Sequence, residues 1–409
     1  MSDQTVLIVG GGVAGGSVAA SLRNEGFDGR VVVATSEERL PYERPPLSKD
    51  VLLGEAEPAQ ATMHDPAYWD GRDIEVMTGA TVTDLGLAAG VALLDGGREV
   101  VWDRLVLATG ASARPTPIDG ETRDGVFTLR DVGDSLSLRT ALETSEHVVV
   151  VGSSWIGLEA AAAARAHDCD VTVFSPDEQP LSAVLGDEVG AAFRALHEDH
   201  GVTFRTAEVT EIAGDGRATG VVLADGETVD ADVVVLGTGV RPNIALAKRA
   251  GLALDAETGG VQVDESLVTS DERVLAIGDV ASHEHPRLGR LRVEHVEVAR
   301  SHGQTAAKVI AGKDVVHDEL PLFFTDQYDL GMEYVGHASP EDVVVRGDLP
   351  ERPFVAFYLD GDTVRAGMHA DEWDATDVIR ELVGQQVDRE VLADTDVALE
   401  DLPSKAVRN

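Results

Sequence analysis

Two glycine-rich turns about 140 residues apart, each preceded by a short apolar run, restrict this chain more than any other feature of its 409 residues. The first is Val6-Leu7-Ile8-Val9-Gly10-Gly11-Gly12-Val13-Ala14-Gly15 and the second Val148-Val149-Val150-Val151-Gly152-Ser153-Ser154-Trp155-Ile156-Gly157. A buried strand that runs through a tight turn into a small-residue helix needs glycine at three places: for the bend, for the approach of a pyrophosphate to the backbone, and for packing helix on strand. Gly10, Gly12 and Gly15 fill all three. Gly152 and Gly157 fill the outer two of the second copy, where Ser154 brings a Cβ to the middle. Unpaired N–H groups and the dipole at a helix start hold the phosphates, so no lysine is needed there. Two such turns predict two dinucleotide sites on an α/β framework.

Acids placed about 20 residues beyond each turn sharpen this expectation, because a carboxylate at the end of the second strand holds an adenosine ribose. Glu37 follows the strand Arg30–Ala34, with Glu38 beside it as an alternative. Beyond the second turn, the strand Asp170–Phe174 ends at Ser175, with Asp177 and Glu178 next, and no Lys or Arg occurs between Val171 and Phe193. A 2′-phosphate would lack a local cation there, which predicts NADH in preference to NADPH.

Five further segments are Pro41-Tyr42-Glu43-Arg44-Pro45-Pro46-Leu47-Ser48-Lys49, Ala108-Thr109-Gly110, Ile156-Gly157-Leu158-Glu159, Ala276-Ile277-Gly278-Asp279-Val280 and Val293-Glu294-His295. In order and spacing they resemble the signature segments of the FAD-dependent, NAD(P)H-oxidising ferredoxin reductases, a group that includes putidaredoxin-reductase-like and apoptosis-inducing-factor-like flavoproteins. The resemblance covers nearly the whole chain. It implies two Rossmann-like domains, for FAD and for NAD, arranged as in glutathione reductase, plus a small C-terminal α+β domain. The expected boundaries are 1–112 and 241–320 for the FAD domain, 113–240 for the NAD domain and 321–409 for the last.

The same resemblance implies roles. Gly10, Gly12, Val13, Ala14 and Gly15 would hold FAD together with Thr109, Gly110 and the preceding Ala108 near its pyrophosphate, Val82 near the adenine, and Asp279 after Gly278 on the ribityl chain. Gly152, Ser154, Ile156 and Gly157, with Gly237, Thr238 and Gly239, would line the NAD side. Arg44 and Lys49 are the cations expected beside the flavin ring, although Arg44 also reads as a surface partner of Glu43 or Asp50. Glu159 is expected by the nicotinamide, paired with Lys49; a helix-dipole role is its alternative. Glu294 and His295 open a helix whose N–H groups face the flavin pyrimidine in similar proteins, and Val296 stands where many relatives carry tryptophan. For His295 both an acid role and a structural one stay open.

Composition then separates chemistries that share this architecture. Disulfide reduction needs a cysteine pair, and related peroxidases need one cysteine near Pro45–Ser48, yet the only cysteine is Cys169, expected to be structural. Electrons must leave for an outside acceptor. The net charge is −40, with lysine confined to Lys49, Lys248, Lys308, Lys313 and Lys405. Nucleic acid and anionic membranes are poor partners for such a surface, which also suggests adaptation to high salt. No apolar run has the length or flanks of a membrane span or leader, so a cytoplasmic monomer or homodimer is expected. A small iron–sulfur ferredoxin is the expected acceptor; an NADH oxidase or quinone or dye reductase, and an NADH-sensing binding flavoprotein, are the alternatives. His283-Glu284-His285 reads as ordinary surface.

Overall fold

The computed structural model describes residues 4–406, which divide into two compact units: 4–45, 59–112 and 240–321 in the first, and 46–58, 113–239 and 322–406 in the second. In the first, five short strands pair side by side in the order Val274–Ala276, Arg104–Leu107, Thr5–Val9, Arg30–Ala34, Ile74–Met77. All four pairings are parallel, with Leu7 opposite both Val32 and Leu105. The valine-rich runs form these strands because both faces of the sheet are covered, and Val6, Leu7, Ile8 and Val31–Val33 are fully buried. The helices Val13–Asn24 and Val296–Ile310 cross closely: a Cβ on Gly303 would lie 2.7 Å from that of Ser17, so only glycine fits at the crossing.

The second unit repeats the plan with strands Val202–Thr206, Asp170–Ser175, His147–Val151, Val233–Leu236 and Val126–Phe127, again all parallel. It also carries an antiparallel sheet in the order Leu322–Gln327, Leu330–Gly336, Thr363–Ala370, Phe354–Asp360, Val343–Arg346, beside the helix Ala375–Leu382. The fold is thus two parallel-sheet Rossmann-like halves with a C-terminal α+β portion. Residues 46–58, which by sequence lie within the 1–112 stretch, pack in the second unit: Ser135 Oγ donates to Leu47 O at 2.7 Å and Arg139 to Val51 O at 3.2 Å. Among the described residues no helix is long and apolar enough to cross a membrane.

One expectation is overturned. His283 and His285 are not surface residues: they lie on the strand Ala281–His285, 3% and 2% exposed, and His283 packs against the rings of His302 and His317. Burial, followed by the neighbouring histidines, pushes His317 down to about 3 and His283 down to about 4, and holds His302 well below its usual range.

Candidate functional site

In each unit the expected residues gather at the carboxyl edge of the parallel sheet, where loops leave the strands in register. In the first unit the ladder carries on past the strand ends, Gly10 N–H donating to Ala34 O, Ala108 N–H to Val9 O and Ile277 N–H to Leu107 O. This sets the Gly10–Gly15 turn beside Ala108-Thr109-Gly110 and Gly278-Asp279. The three glycines of the turn have different causes. At Gly10, where φ is +117°, a Cβ would strike the Ala108 carbonyl, and at Gly15 it would strike that of Gly10. At Gly12 a Cβ would meet nothing within 4 Å. Chain packing therefore explains the outer two, while the middle one borders open space at the start of a helix, a cradle suited to a pyrophosphate.

A cavity of about 670 Å³ extends from Gly10 past Thr109 to Val82, with Arg241 and Lys248 among its lining residues. Asn243, which sequence reasoning missed, clamps its wall: its side-chain amide donates to Thr109 O at 2.9 Å and accepts from Ser112 Oγ at 2.9 Å. Its position directly after Arg241-Pro242 was the available signal. Glu37 is held on both oxygens, accepting from Tyr42 OH at 2.6 Å and from Arg44 at 2.9 Å. Arg44 thus pairs with Glu37, while Arg300 takes Glu43 at 2.9 Å. Burial pulls the Arg44 guanidinium down, but Tyr42, Glu37 and Asp279 together hold it above its usual value. Asp279 itself is buried. Glu294 is exposed and paired with Arg292, whereas His295 immediately precedes the helix begun by Val296 without capping it through its side chain.

In the second unit Gly152 N–H donates to Phe174 O and Gly237 N–H to Val151 O, so the turn adjoins Gly237-Thr238-Gly239. Ser154 stands at the helix start and turns its hydroxyl inward, donating to Gly237 O at 2.7 Å and accepting from Gly157 N–H at 3.4 Å. The hydroxyl is thereby held within the turn, while the Cβ stays where the backbone sets it. Thr238 Oγ1 is buried with no hydrogen-bond partner, a polar atom that a ligand would satisfy. Ser175 closes its strand by accepting from Ser153 at 3.0 Å, and Asp177 and Glu178 are exposed. Cations missing from the local sequence do come near in space, but both are committed: Arg194 to Glu198 and Glu178 O, and Arg205, over the Phe174 ring, to Glu227.

Lys49 and Glu159 are brought together. Lys49 Nζ lies 2.6 Å from Glu159 Oε1, and the carboxylate also accepts from Ser48 Oγ at 2.5 Å and Thr325 Oγ1 at 2.6 Å. Lys49 is 15% and Glu159 7% exposed, so this pair is largely desolvated and needs those extra donors to offset the cost. Glu159 is the fifth residue of its helix, past the first turn, and its carboxylate bonds side chains instead of helix N–H groups, which removes the dipole explanation. Cys169 is fully buried, donates to the carbonyls of Leu142 and Ser145, and its thiol is pushed up by burial. It offers no reactive thiolate.

The residues fit a flavin and a pyridine nucleotide: an open cradle at Gly12, an unsatisfied hydroxyl at Thr238, and a buried cation–acid pair with no thiol. Sequence comparison agrees on the class. Residues 4–303 match the pyridine nucleotide-disulphide oxidoreductases and residues 322–403 the reductase C-terminal domain. The chain belongs to the pyridine nucleotide-disulphide oxidoreductase family and is an oxidoreductase of the flavoprotein reductase type. More particularly, it is 38% identical over 372 residues to the anthranilate 1,2-dioxygenase system ferredoxin–NAD(+) reductase component of Burkholderia cepacia, covering 88% of this chain and 89% of that protein. The reductase of a crystallised covalent putidaredoxin reductase–putidaredoxin complex superposes with a TM-score of 0.95 at 30% identity, covering 99% of both chains. The ferredoxin reductase for the CYP199A2 system of Rhodopseudomonas palustris gives 0.92 at 33% identity, over 97% of this chain and 99% of that one.

Proposed function

We propose that this protein is an NADH-dependent flavoprotein reductase that passes electrons to a small iron–sulfur ferredoxin, as the named relatives do in oxygenase systems. The observation that carries the reading is the Ser48–Lys49–Glu159 cluster: a cation and an acid in a largely desolvated site, with no cysteine near Pro45–Ser48, where a thiol-using relative would need one. FAD, when bound, supplies the exchange between a two-electron donor and one-electron acceptors. The chain supplies the rest. The open backbone at Gly12 and the helix start after it would hold the FAD pyrophosphate, with Asp279 and the Arg44–Glu37 pair toward the rest of the cofactor. Lys49 Nζ provides positive charge where negative charge develops, and Glu159 fixes that ammonium in place without reorganisation.

NADH over NADPH is supported by Asp177 and Glu178 at the strand end and by the prior commitment of Arg194 and Arg205 to other acceptors. The expected kcat/KM ratio is roughly tenfold or more in favour of NADH, from like-charge repulsion and the engagement of Arg194 and Arg205 elsewhere. Equal rates with the two nucleotides would refute this preference.

The acceptor is tested by reducing the purified flavoprotein anaerobically with one equivalent of NADH and then admitting air. A long-lived reduced flavin that a ferredoxin discharges supports the reading. Return of the oxidised spectrum as fast as turnover would instead favour an oxidase.

A further inference from the structure

Beyond Glu159 the hydrogen bonding does not stop. Thr325 Oγ1 accepts from Gln327 Nε2 at 3.2 Å, Gln327 Oε1 meets His197 Nε2 at 2.7 Å, and His197 Nδ1 meets Tyr328 OH at 3.2 Å. Thr325 and Gln327, two residues apart on the strand Leu322–Gln327, share its buried face, and His197 comes from the helix Ser182–Asp199. Thr325 and His197 are fully buried, Gln327 is 2% exposed, and no relay atom lacks a partner.

Direction in this chain follows from one end. The Thr325 hydroxyl donates its one proton to Glu159 Oε1 and can then only accept from its other neighbour. That neighbour must be the Gln327 amide nitrogen, which turns the Gln327 oxygen toward His197. An amide oxygen cannot donate, so His197 carries its proton on Nε2 and presents a bare Nδ1 to the Tyr328 hydroxyl. Burial pushes His197 down to about 4 and Tyr328 up, so both stay neutral at pH 7 and neither breaks the sequence of donors. Four consecutive hydrogen bonds all point at Glu159. They end on Oε1, the same oxygen that Lys49 grips.

We propose that Thr325, Gln327 and His197 are positioning residues for the redox site: a buried, one-way hydrogen-bond chain that fixes the carboxylate oxygen on which the Lys49 ammonium is registered. The inference rests on the reading of Lys49 and Glu159 as the hydride-transfer site and adds three residues that act on Glu159 through hydrogen bonds. A chain polarised in one direction strengthens its terminal bond, and each member fixes its neighbour's rotamer. His197, separated from Glu159 by Gln327 and Thr325 in the chain of bonds, thereby helps to hold the carboxylate oxygen in place.

Two measurements test it. In the flavin-loaded protein labelled with nitrogen-15 histidine, the His197 signals are identified by their loss in His197→Gln, and long-range proton–nitrogen NMR at pH 7 should give the Nε2–H tautomer. An Nδ1–H tautomer or an imidazolium would overturn the chain. In anaerobic stopped-flow reduction by NADH, Thr325→Val should lower the limiting rate about tenfold, the worth of a hydrogen bond to a charged group. Thr325→Ser should restore it to within about twofold of wild type, since the hydroxyl is kept. His197→Gln, which cannot reproduce the relay's geometry, should cost about threefold alone and nothing further in the Thr325→Val background, because its effect must pass through Thr325. Additive losses, or a Thr325→Val enzyme as fast as wild type, would overturn the proposal. A wild-type flavin that NADH leaves oxidised would overturn the site reading itself, a result separable from the others because the tautomer needs no nucleotide.

Discussion

Acidification from pH 7 to pH 5 should weaken the first unit through its buried histidines. His283 and His317 are each 3% exposed and are held neutral, near 4 and near 3, against about 6.5 in an unfolded chain. The sign follows from proton counting. Between about pH 6.5 and the depressed folded values, the unfolded chain binds protons that the folded one refuses, so stability is fully present above that window and falls as pH drops through it. Integrated from pH 7 to 5, each histidine costs about 2 kcal/mol, roughly 4 kcal/mol for the two, and His302 adds in the same direction. For a unit of this size that is on the order of 10 °C in Tm. His302 also accepts from Gly278 N–H at 3.2 Å, so opening the cluster removes a support of the Gly278-Asp279 turn. Thermal unfolding followed at fixed molar salt from pH 8 to pH 5, with flavin fluorescence as a second signal, is the assay. The expected result is a Tm that holds above pH 7 and falls below it, with flavin released in the same window. A Tm unchanged between pH 7 and 5 would refute the reasoning.

Three further outcomes follow from the geometry. Gly12→Val should fold with a Tm within about 2 °C of wild type, because its backbone is extended and its Cβ meets nothing, yet should lose flavin; Gly10→Ala should instead fail to fold or lose several kcal/mol, about 3 or more, as measured by urea unfolding. Lys49→Met and Glu159→Gln should each slow flavin reduction by NADH roughly 10- to 100-fold with flavin content unchanged, checked by single-turnover absorbance; a rate within twofold of wild type would remove them from the site. Transfer from molar to low salt should lower Tm by about 5 °C or more as the net charge of −40 loses its screening, and indifference to salt would argue against a salt-adapted surface.

The valine-rich strands and the glycine turns were readable because local chemistry dictates them: a bend, a buried parallel strand and an exposed helix start each leave a mark within ten residues. The Lys49–Glu159 contact was also readable, through two motifs. What surrounds it was not. Thr325 reaches Glu159 across 166 residues and carries no signal of its own in its strand. Arg44 had carboxylates beside it in sequence and took Glu37 instead, because Tyr42 and the turn bring that acid round. The histidines at 283 and 285 look polar in isolation; their burial depends on the parallel pairing of their strand with Val261–Val263 and on His302 and His317 arriving from later in the chain. The strand Thr363–Ala370, central in the C-terminal sheet, is hard to read in sequence because Arg365 and His369 interrupt its apolar pattern.

Ser154 bears on how proteins of this kind are found in genomes. The middle position of a nucleotide turn is a keep-clear zone, and an absent side chain is only one way to keep it clear. A hydroxyl drawn inward by the Gly237 carbonyl, at the end of the neighbouring strand, is another, available to a short side chain with one donor and one acceptor. A pattern search that insists on three glycines would count a single site in this chain and file a two-nucleotide enzyme with the one-nucleotide proteins. Search patterns that admit serine there, on condition that the next strand supplies a carbonyl, would recover such chains.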